Sequence, residues 1–90
     1  MPTSSPSNAG ADLETRARQV FGAVFGIEPA ALNDDSSPDT IAKWDSQGHL
    51  NLMLALEQEC GVQFTEEQMY EMLNFRLVVL TLQELADPAA

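Results

Sequence analysis

The chain has 90 residues, 44% of them hydrophobic, with fourteen Asp and Glu against four Lys and Arg, giving a formal net charge of −10. A chain this short holds one domain with a single core and a thin stability margin. This disfavours an elaborate internal active site and favours a carrier, adaptor or binding module. Its negative field repels nucleic-acid phosphates and anionic lipid headgroups, so the expected partners of this monomer are proteins with basic docking patches, with no nucleic acid and no membrane.

Residues 1–11, MPTSSPSNAGA, offer nothing to bury and read as a flexible tail. They show no basic start or apolar h-region, and no run in the chain approaches the roughly 20 apolar residues that span a bilayer. The one cysteine, Cys60, cannot form an internal disulfide and has no zinc-type Cys/His spacing around it, so a cytoplasmic setting is expected. From Asp12 onward, Leu13, Ala17, Val20, Phe21, Val24 and Phe25 recur at helical spacing, with Asp12 and Glu14 at the positive end of the macrodipole. This first helix ends near Gly26. The stretch Gly26 to Trp44 carries two prolines and a cluster of Asp, Asn and Ser. It reads as a long connection that Ile27, Leu32, Ile41 and Trp44 pin to the core.

Asp45 and Ser46 are both favoured N-cap residues, and a second helix runs from there to Glu59 with Gly61 placed as its stop. After the short extended link VQF, Thr65 followed by Glu66 and Glu67 opens a third helix of about two turns in EEQMYEML. A fourth spans Arg76 or Leu77 to Ala86, with Val78, Leu82 and Leu85 on one stripe. Pro88 ends it, and residues 87–90 form a C-terminal tail. The fold class is therefore all-α: a small four-helix bundle over residues 12–86 with a long first loop and a short third helix.

The second helix has apolar residues on two sides. At about 100° per residue, Leu52, Met53, Leu56 and Cys60 share one side, while Gln47, Leu50, Leu54 and Glu57 or Gln58 share the other. Three further helical segments, one of them short, are too few to surround it. The second stripe, flanked by Glu57 and Glu59, therefore reads as a docking surface of aliphatic anchors inside a charged rim.

In KWDSQGHLNL, Lys43 to Leu52, Ser46 stands where a helix begins, and capping is the commonest reason for Ser or Asp at such a place. A serine hydrolase needs a base, an orienting group and an oxyanion hole. His49, the one histidine, lies at i+3, but the chain has no Gly-x-Ser-x-Gly elbow, and His49 reads as a solvated or capping side chain. Calcium fails too. An EF-hand loop needs Gly at its sixth position and Glu at its twelfth; starting from Asn33 these are Pro38 and Trp44, and from Asp34 they are Asp39 and Asp45. No metal site is expected.

The segment WDSQGHLNLMLALEQECGVQF, with the four-helix layout around it, resembles the acyl carrier protein family over about Asp12 to Ala86. That family's signature is an Asp-Ser pair opening the second helix, followed by Leu-rich turns and a Glu-rich end. The resemblance implies that Ser46 carries a 4'-phosphopantetheine arm, delivered from coenzyme A by a separate phosphopantetheinyl transferase, and that Asp45 assists Mg²⁺ positioning during the transfer. It also implies that the chain is no enzyme. Acyl or aminoacyl groups ride on the arm as thioesters, supplied by a loading enzyme and consumed by synthase or transferase enzymes of fatty acid, polyketide or related biosynthesis. Leu50 and Leu54 fall on the surface that family members present to partners, with Glu57 as an acidic contact. Phe64, Met69, Met72 and Val78 match positions lining the core and the space where some members shelter an acyl chain. Cys60 stands where the family has a bulky core residue, and reads as a small buried hydrophobe.

Some residues depart from the pattern. Gln47 stands where the family usually has a leucine that contacts partners, and Asn51 and Gln58 stand where fatty-acid carriers often have acids. These changes, with GHLNL, set the chain apart from a housekeeping fatty-acid member and imply a specialised carrier. The alternative is a small acidic helical adaptor that binds a basic protein without covalent modification.

Overall fold

Four helices account for the architecture seen in a computed structural model, which describes residues 9–86, with side chains from residue 13 onward. They are α1 (Ala9–Phe25), α2 (Ser46–Cys60), α3 (Glu66–Glu71) and α4 (Phe75–Ala86), and among the described residues there is no strand. The protein is the small helical bundle expected, with a long first loop and a short third helix. The tails read into residues 1–8 and 87–90, and the stop at Pro88, lie outside the described residues.

Each boundary has a local cause. Helix α1 begins at Ala9, three residues ahead of Asp12, because Ala9, Gly10 and Ala11 continue the helical turn although their composition had placed them in a tail. Gly26 and Gly61, both at φ near +67°, follow α1 and α2 in the left-handed conformation that only glycine adopts without strain. The Gly61 and Val62 amides both donate back to the Glu57 carbonyl, closing the last turn of α2. A reciprocal capping box starts α3, where the Thr65 hydroxyl accepts from the Gln68 amide and the Gln68 side chain accepts from the Thr65 amide. Helix α3 ends at Glu71, short of the two turns expected.

Helix α4 starts at Phe75, one or two residues ahead of the expected Arg76 or Leu77, and its capping shows why. The Phe75 and Arg76 amides donate to the Ser36 and Asp34 carbonyls of the long loop, and the Leu77 amide donates to the Asn74 side chain. A helix end needs such acceptors, and here two of them come from about 40 residues away in the chain. The loop is fixed in turn by Arg18. Its guanidinium binds Glu14, donates to the Pro29 and Leu32 carbonyls, and lies 4.9 Å from the centre of the Phe75 ring.

The core is aromatic at its centre. Phe21 meets Phe25, Trp44 and Phe75 edge-on, with centroids 5.7, 5.1 and 5.1 Å away, the geometry that the ring quadrupoles favour. Helix α1 packs on α2 and α4, and Leu52, Met53 and Leu56 of α2 point inward beside Met72, Val78 and Leu82. Leu32 and Trp44 anchor the long loop by full burial, and Ile27 and Ile41 by partial burial. Cys60 is half-buried against the core, not enclosed by it. No helix among the described residues is long and apolar enough to cross a membrane.

Candidate functional site at the start of helix α2

The residue capping α2 is Asp45. Its carboxylate accepts from the Gly48 amide at 2.8 Å, and its carbonyl accepts from the His49 amide at 2.7 Å. The cap duty that sequence left open between two neighbours thus belongs to Asp45, and the exposed Ser46 is the first residue inside the helix. Its hydroxyl stands at the positive end of a 15-residue helix, whose first four amides lack partners within the helix and of which that of Gly48 is taken by Asp45.

Gly48 makes this corner possible. A Cβ there would collide with the Lys43 carbonyl oxygen and come within 3.1 Å of the Phe25 ring. The loop therefore turns tightly across the first turn of α2 and delivers Asp45 and Ser46 at the surface while Trp44 is buried beneath them.

His49 is neither solvated nor a cap. The Trp44 indole N–H donates to its Nδ1 at 2.9 Å, with the two rings nearly coplanar at 13°. That bond makes Nδ1 an acceptor and leaves the proton on Nε2, which donates to the Met69 carbonyl at 2.8 Å. His49 thus ties the loop, α2 and α3 together, and neither ring nitrogen remains to serve as a base for Ser46. A Ser–His nucleophile has no basis in this geometry.

Beside Ser46 lies an open groove of about 620 Å³. Trp44, His49, Met69 and Met72 are its least exposed lining residues; Leu50, Tyr70 and Leu73 are large apolar side chains exposed at 59, 74 and 62%. Asp45, Ser46 and, from the long loop, Pro38 are also among its lining residues. Sequence reasoning did not find this groove. Tyr70 and Leu73, at i and i+3 in a segment too short to show a period, were its only local signal.

The second stripe on α2 is present. Gln47 is exposed, and Leu50 and Leu54 are exposed at 59 and 58%, opposite the buried Leu52, Met53 and Leu56. Glu57 has an internal duty: its carboxylate accepts from the Phe64 amide at 2.9 Å and holds the α2–α3 link. Phe64, Met72 and Val78 are buried, while Met69 is half-buried at the groove. Among the described residues, no group of three or more His, Cys, Asp and Glu is placed to hold a metal ion.

No protein-family model matches the chain, and no curated protein matches it.

Proposed function

We propose that the protein is a carrier, modified at Ser46 with a 4'-phosphopantetheine arm and presenting thioester-bound acyl or aminoacyl groups to successive enzymes. The single observation that carries the reading is the division of labour at the start of α2: Asp45 caps the helix, leaving the adjacent Ser46 hydroxyl exposed and free of that duty. A phosphodiester at this position would sit at a helix N-terminus, where the macrodipole and the open amides favour negative charge.

The chain performs no chemistry of its own in this reading. A phosphopantetheinyl transferase brings coenzyme A; the Ser46 oxygen forms the new bond to phosphorus, the nucleotide part of coenzyme A leaves, and the hydroxyl proton passes to a base of the transferase. The Asp45 carboxylate, one residue from the reacting oxygen, is exposed and able to help hold the transferase's Mg²⁺. The arm supplies a terminal thiol that holds the acyl group. Tethering then replaces tight binding, because a cargo on a short flexible link has a millimolar effective concentration at any docked enzyme. Leu50 and Leu54, with Gln47 beside them, present the partner-facing surface, and the net charge of −10 draws in a loading enzyme and synthases or transferases through basic patches. With Gln47 in place of an apolar anchor, the expected partners belong to a dedicated pathway. The expected compartment is the cytoplasm.

Co-expression with a broad-specificity transferase tests this by intact mass. The wild type gains the mass of one phosphopantetheine group, and Ser46→Ala gains none while keeping its helical circular dichroism. A wild type left unmodified by several such transferases points instead to an acidic adaptor that uses the Leu50–Leu54 face without any covalent group.

A further inference from the structure

We infer that His49 is a positioning residue for the modification of Ser46: through the Trp44 indole it fixes the corner that presents the hydroxyl. This rests on the carrier reading and adds to it the residue that sets the geometry of transfer. The six residues from Trp44 to His49 are of two kinds. Four are bonded to one another across the corner. The Trp44 indole N–H donates to His49 Nδ1 at 2.9 Å, the Asp45 carboxylate accepts from the Gly48 amide at 2.8 Å, and the Asp45 carbonyl accepts from the His49 amide at 2.7 Å. The other two, Ser46 and Gln47, are exposed, and among the described residues neither of their side chains has a hydrogen-bond partner. A rigid frame thus surrounds one free hydroxyl.

The two nitrogens of His49 suit it to this place. Its Nε2 donates to the Met69 carbonyl at 2.8 Å, which leaves the Nδ1 lone pair facing the indole. The backbone of α3 therefore orients the imidazole, and the imidazole orients a Trp44 ring that is 1% exposed and packed against Phe21 and Phe25. Trp44 lies two residues before Ser46 and His49 three after it, so their bond brackets the modified position from both sides. Gly48 lets the bracket close, because a Cβ there would meet the Lys43 carbonyl. The ordering of the corner is met on folding and not on docking, and a transferase receives the oxygen already placed. Both ring nitrogens of His49 are engaged, so its effect passes through Trp44 and the backbone and involves no proton transfer.

The test is steady-state phosphopantetheinyl transfer to the full chain, with the carrier as the varied substrate, at a temperature where circular dichroism shows every variant folded. His49→Ala is expected to lower kcat about fivefold, a small part of the roughly hundredfold that a 1 Å misplacement can cost. KM should stay within about twofold, because the exposed Leu50 and Leu54 are untouched. His49→Gln, which keeps an acceptor and a donor, should recover most of kcat. Trp44→Phe keeps a buried ring without the N–H; it should lose as much as His49→Ala, and the double variant should lose no more than either alone. Exchange of the Gly48 amide should quicken in these variants before any transferase is added. Val79→Ala, a core truncation on α4, weakens the fold away from the corner and should leave kcat unchanged. Wild-type kcat in His49→Ala would overturn the inference, as would a loss confined to KM, additive losses in the double variant, or unchanged Gly48 exchange. Trp44→Phe carries the same test should His49→Ala fail to fold, and wild-type kcat there would overturn the inference equally. A wild type that several transferases leave unmodified sinks the carrier reading itself, whereas a modified wild type with an indifferent His49→Ala sinks only the role given to His49.

Discussion

The two faces of α2 carry the same residue type to opposite ends. Leu52 and Leu56 are completely buried, while Leu50 and Leu54, each two residues earlier, are more than half exposed. Hydrophobicity does not separate them. What separates them is the number of neighbours the chain can bring. Helix α1 packs on the inner face, whose leucines join the buried cluster that includes Met72, Val78 and Leu82, and α3, with six residues, meets α2 through the bond from His49 to the Met69 carbonyl. On the carrier reading proposed above, the uncovered stripe is the face that meets partner enzymes.

The sharpest way to break the comparison is truncation on each face. Leu56→Ala removes a fully enclosed side chain and is expected to lower stability by about 2–5 kcal/mol in urea denaturation. Leu54→Ala is expected to stay within about 0.5 kcal/mol of the wild type. Similar losses at the two positions would show that the outer stripe is packed in solution.

A backbone contact sharpens the same contrast at the end of the helix. Gly48→Ala sets a methyl group against the Lys43 carbonyl, which cannot swing aside as a side chain would. The expected loss is about 1–3 kcal/mol, as for an overpacked core site, with the loop displaced from Phe25. A neutral result in thermal denaturation would mean that the loop does not cross α2 so closely.

How much of this was legible depends on how far apart the partners lie. Asp45, Gly61 and Thr65 announce helix ends because capping is written within three or four residues, and all three were read correctly as signals. The two-sided pattern of α2 was legible for the same reason, since periodicity is local. The Phe75 start of α4 was not, because it depends on Ser36 and Asp34 carbonyls delivered by a distant loop. His49 was missed on the same grounds: one partner lies five residues before it and the other twenty after. A lone polar residue near a helix start looks solvated until the chain that folds over it is known. The groove is a product of three segments meeting, and no one of them carries it.

The His49 bridge can be tested by deleting it. His49→Ala removes the acceptor of a buried indole N–H and the donor to Met69 together. An unsatisfied buried group costs about 1–3 kcal/mol, and the loss should be local: faster hydrogen exchange in α3 and a red-shifted emission from the single Trp44, with α1 and α4 unchanged. His49→Gln, which retains a donor and an acceptor, should recover part of the loss. Unchanged emission in the alanine variant would mean that the indole does not depend on His49.

The smallest effect on the fold is expected where the effect on function is largest. Leu54→Glu puts a charge on an exposed position, so helicity and the denaturation midpoint should stay close to those of the wild type, within about 0.5 kcal/mol. On the carrier reading proposed above, an approaching enzyme would meet an aliphatic anchor replaced by a solvated carboxylate that must be dehydrated on docking, on a surface already acidic. Modification of Ser46 or loading of its arm should therefore slow at least tenfold, a loss of about 1.4 kcal/mol in the encounter complex. Raising the salt concentration should not restore it, because the missing term is apolar burial and not long-range attraction. Recovery of the rate by salt would assign the stripe's contribution to charge, and collapse of helicity would place Leu54 with Leu56 on the buried face.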